Sequence, residues 1–277
     1  MKLFITLILG SLLSLSVAQA RIIKGASLKL EGGVAAWNGQ LKKAVKKLSE
    51  VPAEGIMECR EAVELSHTFV CLSFDQRNMN LAFMRASYFV ERSQVILSHD
   101  DYSLKSYIED IGGHDLKGQD LLRFYEASKL ACEQSGNDKN ICLNNQEREL
   151  FEEFLLPEIK QNPNFVVITY AVKSSLYYES ILSHEILHAQ YFTQPKFQAV
   201  VDKFWAQNVS DPDKRAIKKM LSSIYDVENE YVLKNEFQAY VLQVNATTDG
   251  LGRIAEKYQV DLLNALKRQG LRPIGVL

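Results

Sequence analysis

The chain has 277 residues, 47% of them hydrophobic and 24% charged, which is enough apolar matter to bury a core and excludes a disordered or fibrous polymer. Its formal charge of −2 provides no basic field. Nucleic acid is therefore not expected as a partner.

At the amino terminus Lys2 precedes an apolar run from Leu3 to Val17, and the small-residue signature Ala18-Gln19-Ala20 follows it, the layout of a secretory signal peptide. Residues 1–20 are expected to be removed, leaving a secreted or periplasmic chain that begins near Arg21. The run is too short for a spanning helix and is interrupted by Ser11, Ser14 and Ser16, so no transmembrane anchor is expected after cleavage. Four cysteines, Cys59, Cys71, Cys132 and Cys142, form two pairs that are close in sequence. In an exported protein this pattern reads as two disulfides, with 59–71 and 132–142 the expected pairing, while the other two connectivities and free buried thiols stay open.

Apolar residues Trp37, Leu41, Ala44, Val45 and Leu48 recur at helical spacing opposite Lys42, Lys43, Lys46 and Lys47, predicting an amphipathic basic helix over 34–51. Aromatic and β-branched residues from Phe69 to Ile96 have no clean period, and both strand and helix stay open there. Polar segments around Gly112-Gly113 and Ser135-Gly136-Asn137-Asp138 read as loops between helices at 118–133 and 145–160. Asn164 to Tyr170 is the best strand candidate, bounded by Pro163. Helices are predicted at 178–193, 196–207, 212–225, 228–244 and 251–269, with Asp211-Pro212 starting one of them and Gly270 stopping the last. The fold class is α+β, with a mostly helical C-terminal half. The expected division sets a mixed region of open role at 21–160, a pro-segment or an accessory lobe, before a catalytic region at 161–277.

Two of the five histidines stand four apart, in Ser183-His184-Glu185-Ile186-Leu187-His188-Ala189. On a helix, positions i and i+4 project from one face, so both imidazoles can reach one metal at about 2.0 Å from each nitrogen. Glu185 lies about 100° further round, poorly placed as a ligand but able to act as general base on water at the metal. His67, His99 and His114 read as loop or surface histidines.

His184-Glu185-Ile186-Leu187-His188 resembles the zinc signature of the zincin metallopeptidases. The resemblance covers about 75 residues, from Asn164 to Tyr240, and implies a zincin-like fold with a small sheet beside the active-site helix and one zinc per chain. Tyr191 and Gln194 stand where the metzincin branch has Gly and His, which excludes that branch. Glu236, a carboxylate in an otherwise apolar helix, is similar to the third ligand of the gluzincin branch, where Asn235-Glu236 matches the local pair. Competing acids are Asp202, Asp226, Glu228 and Glu230. Tyr240 departs from the branch, which often has Asp there, and leaves the outer partners of the histidines open. The resemblance also implies a substrate-binding edge strand, assigned to Asn164–Tyr170, and a transition-state stabiliser, for which Tyr240 and Tyr231 are candidates beside Tyr225. The implied activity is hydrolysis of peptide or protein substrates. The alternatives are a zinc amidase acting on cell-wall peptide and a non-catalytic exported binding protein with a structural or vestigial metal site.

Overall fold

The computed structural model describes residues 21–24, 27–28, 56–73, 75–102, 104, 111–171, 178–243 and 251–274. The signal segment and the basic helix at 34–51 lie outside the described residues. The chain is α+β: among the described residues, five strands form one mixed sheet and most of the remainder is helical.

The strands are β1 (Arg21–Lys24), β2 (Ile56–Glu61), β3 (Thr68–Ser73), β4 (Gly113–Lys117) and β5 (Val166–Ala171). They lie in the order β1-β2-β3-β5-β4. Strand β5 pairs in parallel with β3 and antiparallel with β4, so it is an interior strand and every residue of it is buried. The open segment from Phe69 onwards resolves into β3 and then helix α1 (Gln76–Tyr88), whose first turn is capped by Asp75 accepting from the Arg77 amide at 2.8 Å. A π-helical turn, Phe89–Ser93, extends α1. Then come α2 (Gly118–Gln134), α3 (Asn145–Glu149), a π-helical stretch Leu150–Leu155 and α4 (Leu156–Gln161). The helix expected at 145–160 is thus one continuous helical run with a widened middle.

Five helices complete the chain: α5 (Tyr178–Thr193), α6 (Pro195–Asn208), α7 (Asp211–Leu221), α8 (Glu230–Leu242) and α9 (Arg253–Arg268). Ser210 rather than Asp211 caps α7, its hydroxyl accepting from the Asp213 amide, and Asp211 is the first helical residue. Gly270 adopts φ +69° just past α9, the left-handed conformation that glycine takes at a helix end without a Cβ penalty. Both disulfides form with the expected pairing. Cys59 and Cys71 stand directly opposite each other across β2 and β3. Among the described residues no helix is long and apolar enough to cross a membrane.

Alternation along the strands divides the interior. Val70, Leu72, Val166, Ile168 and Tyr170 face Leu182, Ile186 and Ala189 of α5. Cys71, Val167 and Ala171 face the other way, toward Phe83, Phe124, Phe151 and Phe165. A third cluster, built on Leu187 and Tyr191 of α5 with Phe204, Trp205, Phe237 and Tyr258, holds the C-terminal helices together. Helix α5 therefore serves two cores on two of its faces. Its remaining face carries His184, Glu185 and His188.

Gly113–Lys117 departs from expectation, because the glycine pair that reads as a loop opens an edge strand. His114 is also a correction: it is buried, not a surface histidine. Its Nδ1 lies 2.8 Å from the Ser87 hydroxyl, its Nε2 lies 3.1 Å from Asn80 Oδ1, and its ring stacks on Phe83. These contacts tie β4 to α1. Burial holds the His114 imidazole down to a pKa of about 3. The unfolded chain, with an ordinary histidine near 6.5, takes up a proton that the folded chain refuses, so stability falls as pH drops from about 6.5 toward 3. Replacing His114→Gln should reduce that slope by up to about 1.4 kcal/mol per pH unit in urea titrations between pH 6 and 4. An unchanged slope would show that other groups carry the acid sensitivity.

Candidate metal centre

The site forms where α5 and α8 pack together beside the open end of the sheet. His184 and His188, one turn apart on α5, lie with ring centroids 4.5 Å from each other. Glu236 on α8 faces both: its Oε2 is 3.4 Å from His184 Nε2 and its Oε1 is 3.6 Å from His188 Nε2. All three side chains are buried, and one donor atom from each falls within 4.8 Å of the others. A tetrahedral zinc ion with bonds of about 2.0–2.1 Å separates its ligand atoms by about 3.3–3.4 Å. Each imidazole Nε2 lies near that distance from one Glu236 oxygen, Oε2 for His184 and Oε1 for His188, and the donor set could hold a single metal ion.

Electrostatics point the same way. Burial works against protonating His184, but the hydrogen bond and charge of Glu236, with Glu185 and Gln243 assisting, raise its pKa above the ordinary value. Burial pushes His188 down to about 4 against the pull of Glu236. For Glu236, burial favours the neutral acid, yet His188 and His184 outweigh it and hold the group ionised, helped by the Tyr225 hydroxyl. One carboxylate thus faces two imidazoles in a buried site, an arrangement that could accommodate a divalent cation.

The rivals of Glu236 are engaged elsewhere. Asp202 accepts from the Tyr191 hydroxyl at 2.7 Å and lies 3.6 Å from Lys234. Glu228 pairs with Lys218, Glu230 lies 3.9 Å from Lys234, and Asp226 accepts from the Glu228 amide.

Helix α8 brings Glu236, Tyr240 and Gln243 to α5 at spacings of four and three, which is one helical face. Gln243 Oε1 lies 2.7 Å from His184 Nδ1, and its amide nitrogen donates to the Ser180 hydroxyl at 3.1 Å. An amide oxygen accepts only, so Nδ1 carries a proton and Nε2 is the nitrogen turned toward Glu236. Tyr240 places its ring 4.5 Å from that of His184, and its hydroxyl meets that of Tyr225. Tyr231 instead stacks on Phe192 and receives a 3.5 Å hydrogen bond from Lys117, away from the ligand atoms. The turn bearing Tyr225 is clamped by the π-helical turn after α1: Arg92 donates to the carbonyls of Ser223 and Ile224, and the Asp226 amide donates to the Glu91 carbonyl at 2.9 Å.

Glu185 is buried, and among the described residues its Oε2 has no hydrogen-bond partner. Burial raises its pKa to about 8, with Glu236 adding to the rise and His184 opposing it. The carboxyl lies over Gly113 of β4, where a Cβ would come within 2.6 Å of Glu185 Oε1 and 2.8 Å of the Thr169 carbonyl. Only glycine allows this approach, since the backbone on one side has nowhere to move. Gly113→Ala should displace the Glu185 carboxyl and reduce any hydrolytic rate about tenfold or more while metal content stays unchanged, read by metal analysis beside initial rates. Equal rates would show that the approach does not matter.

The sheet edge beside α5 is β4, a correction to the expectation that placed Asn164–Tyr170 there. Tyr170, Ile168 and Val166 pair with Gly113, Asp115 and Lys117, and these three β4 residues face the site. Asp115 Oδ2 lies 3.8 Å from His188 Nδ1. Among the described residues β4 is paired on one side only. The division at 160 runs through this sheet, with β1 to β4 on one side and β5 on the other. Asp115, Gly113 and Gln243 had no mark in the sequence as site residues, the first two because they follow an apparent turn and the third because a glutamine at a helix end looks like a cap.

Compared with known proteins, the chain matches no family model, no curated protein and no solved structure.

Proposed function

We propose that the chain is an exported zinc-dependent metallopeptidase of zincin type, with one zinc held by His184, His188 and Glu236. The observation that carries this reading is the convergence of His184, His188 and Glu236 donor atoms within 4.8 Å of one another, with Glu185 buried alongside. Two disulfides suit a chain that matures in an oxidising compartment, which supports export.

When bound, zinc would polarise the scissile carbonyl and acidify the water it holds. Glu185 would serve as general base and acid, holding a proton at its Oε2 on the way to the leaving nitrogen. The open side of β4 offers backbone amides and carbonyls to an extended peptide, so main-chain recognition belongs to Gly113–Lys117 in place of Asn164–Tyr170. The hydroxyls of Tyr225 and Tyr240, beside Glu236, are better placed than that of Tyr231 to steady negative charge on the substrate oxygen.

The test is zinc analysis of the purified chain together with digestion of an unbiased peptide library. One zinc per chain and cleaved peptides are expected. A zinc content well below one per chain sinks the proposal. Full zinc with no cleavage of peptides or cell-wall peptide amides would favour a structural site instead.

A further inference from the structure

We infer that Asp115 is the positioning residue for His188, so that the edge strand of the sheet orients one of the two metal-binding imidazoles. This rests on the metal-site reading above. The two histidines are served unequally by the rest of the molecule. His184 has its Nδ1 occupied by Gln243 at 2.7 Å, which aims its Nε2 at Glu236. His188 is as deeply buried, yet among the described residues its Nδ1 has no hydrogen-bond partner at normal geometry. A buried ring nitrogen without a partner costs about 1–3 kcal/mol, and a ligand imidazole needs such a partner to fix its tautomer.

The acceptor nearest that nitrogen by charge is Asp115 Oδ2, at 3.8 Å. This is ion-pair range, longer than a hydrogen bond. Among the described residues His188 is the one basic side chain within ion-pair range of Asp115. A carboxylate this poorly exposed is costly unless something compensates it. Asp115 reaches His188 only because β4 alternates, turning His114 and Leu116 into the core behind the sheet and Gly113, Asp115 and Lys117 toward α5. An Asp115 carboxylate accepting from His188 Nδ1 would direct the Nε2 lone pair at the point that Glu236 also faces. The strand proposed to seat the substrate backbone would then also hold a ligand in place.

Two rivals are distinguishable. Asn235 is a side-chain hydrogen-bond partner of His188, and Asp115, Glu185 and His188 could themselves hold a second cation, since their donor atoms lie within 4.8 Å of one another. The experiment measures zinc affinity and stoichiometry of the full chain by competition with a chromophoric chelator, and records the visible spectrum of the cobalt(II)-loaded protein. Wild type, Asp115→Ala, Asp115→Asn, Asn235→Ala and Leu116→Ala are compared. We expect one zinc per chain, a 10- to 100-fold weaker affinity in Asp115→Ala, a smaller loss in Asp115→Asn, which keeps an acceptor, and a shifted cobalt spectrum in both. Leu116→Ala loosens the same strand from behind and should leave affinity and spectrum of the folded protein unchanged, which separates positioning from mere support of β4. Wild-type affinity in Asp115→Ala, or a loss confined to Asn235→Ala, overturns the inference while leaving the metal site intact. Two zinc ions per chain in wild type and one in Asp115→Ala also overturns it, making Asp115 a ligand. Absence of zinc from wild type would instead bring down the functional reading itself.

Discussion

Glu185→Gln should reduce peptide hydrolysis by about 10²–10⁴-fold while zinc content stays at one per chain. The substitution preserves shape, so the buried side chain keeps its seat over Gly113 and between the two cores. What it removes is the ability of Oε2 to take up and release a proton. Because Glu185 stands beside the ligand atoms without being one of the converging three, metal affinity should change little. Initial rates on a cleaved library peptide, beside zinc analysis of the same preparation, give the answer. Near wild-type rates in the variant would remove Glu185 from the chemistry, and with it the peptidase reading.

Glu236→Ala should have the opposite signature, with metal lost first and activity lost as a result. Glu236 supplies the one negative charge in the ligand set, and both imidazole Nε2 atoms face it at 3.4 and 3.6 Å. A ligand that binds only the folded chain stabilises it by about 4 kcal/mol at a free concentration of 1,000 times Kd. Wild type should therefore melt at a higher temperature with micromolar zinc than with chelator, whereas Glu236→Ala should melt at the same temperature in both. A variant that still shows the zinc-dependent rise would place the third ligand elsewhere, with Asp115 the first residue to examine. Loss of the carboxylate also leaves His184 without the partner that favours its charged form, so the variant should bind less acid at the site.

The parts of this site that were legible in the sequence are those carried by local spacing. His184, Glu185 and His188 declare themselves because a helix converts a four-residue interval into one face, and Glu236 because a lone acid interrupts an apolar helix. The helices from Gly118 onward follow from periodicity and from end signals such as Pro212 and Gly270, with boundaries in error by a residue or a few. The edge strand was illegible for a physical reason. Gly113–Lys117 is five residues long, alternates glycine and charged residues with His114 and Leu116, and starts at a glycine pair, so nothing local distinguishes it from a turn. Its conformation comes from pairing with β5, some fifty residues further along the chain. Asp115 and Gln243 were hidden likewise, since each acquires its role only from what packs against it. Assigning Asn164–Tyr170 to the edge failed because strand propensity says nothing about which side of a strand will be paired.

Helix α5 packs Leu182, Ile186 and Ala189 against the sheet and Leu187 and Tyr191 against the C-terminal helices. Its backbone is thus moored on two sides by contacts that owe nothing to a cation. Metal uptake would then resemble a key entering a cut lock, with little apolar surface newly hidden and little change in heat capacity, unlike the small zinc modules that fold only around their ion. Rigidity on those two flanks leaves the third, where β4 ends the sheet, as the side from which a substrate could approach.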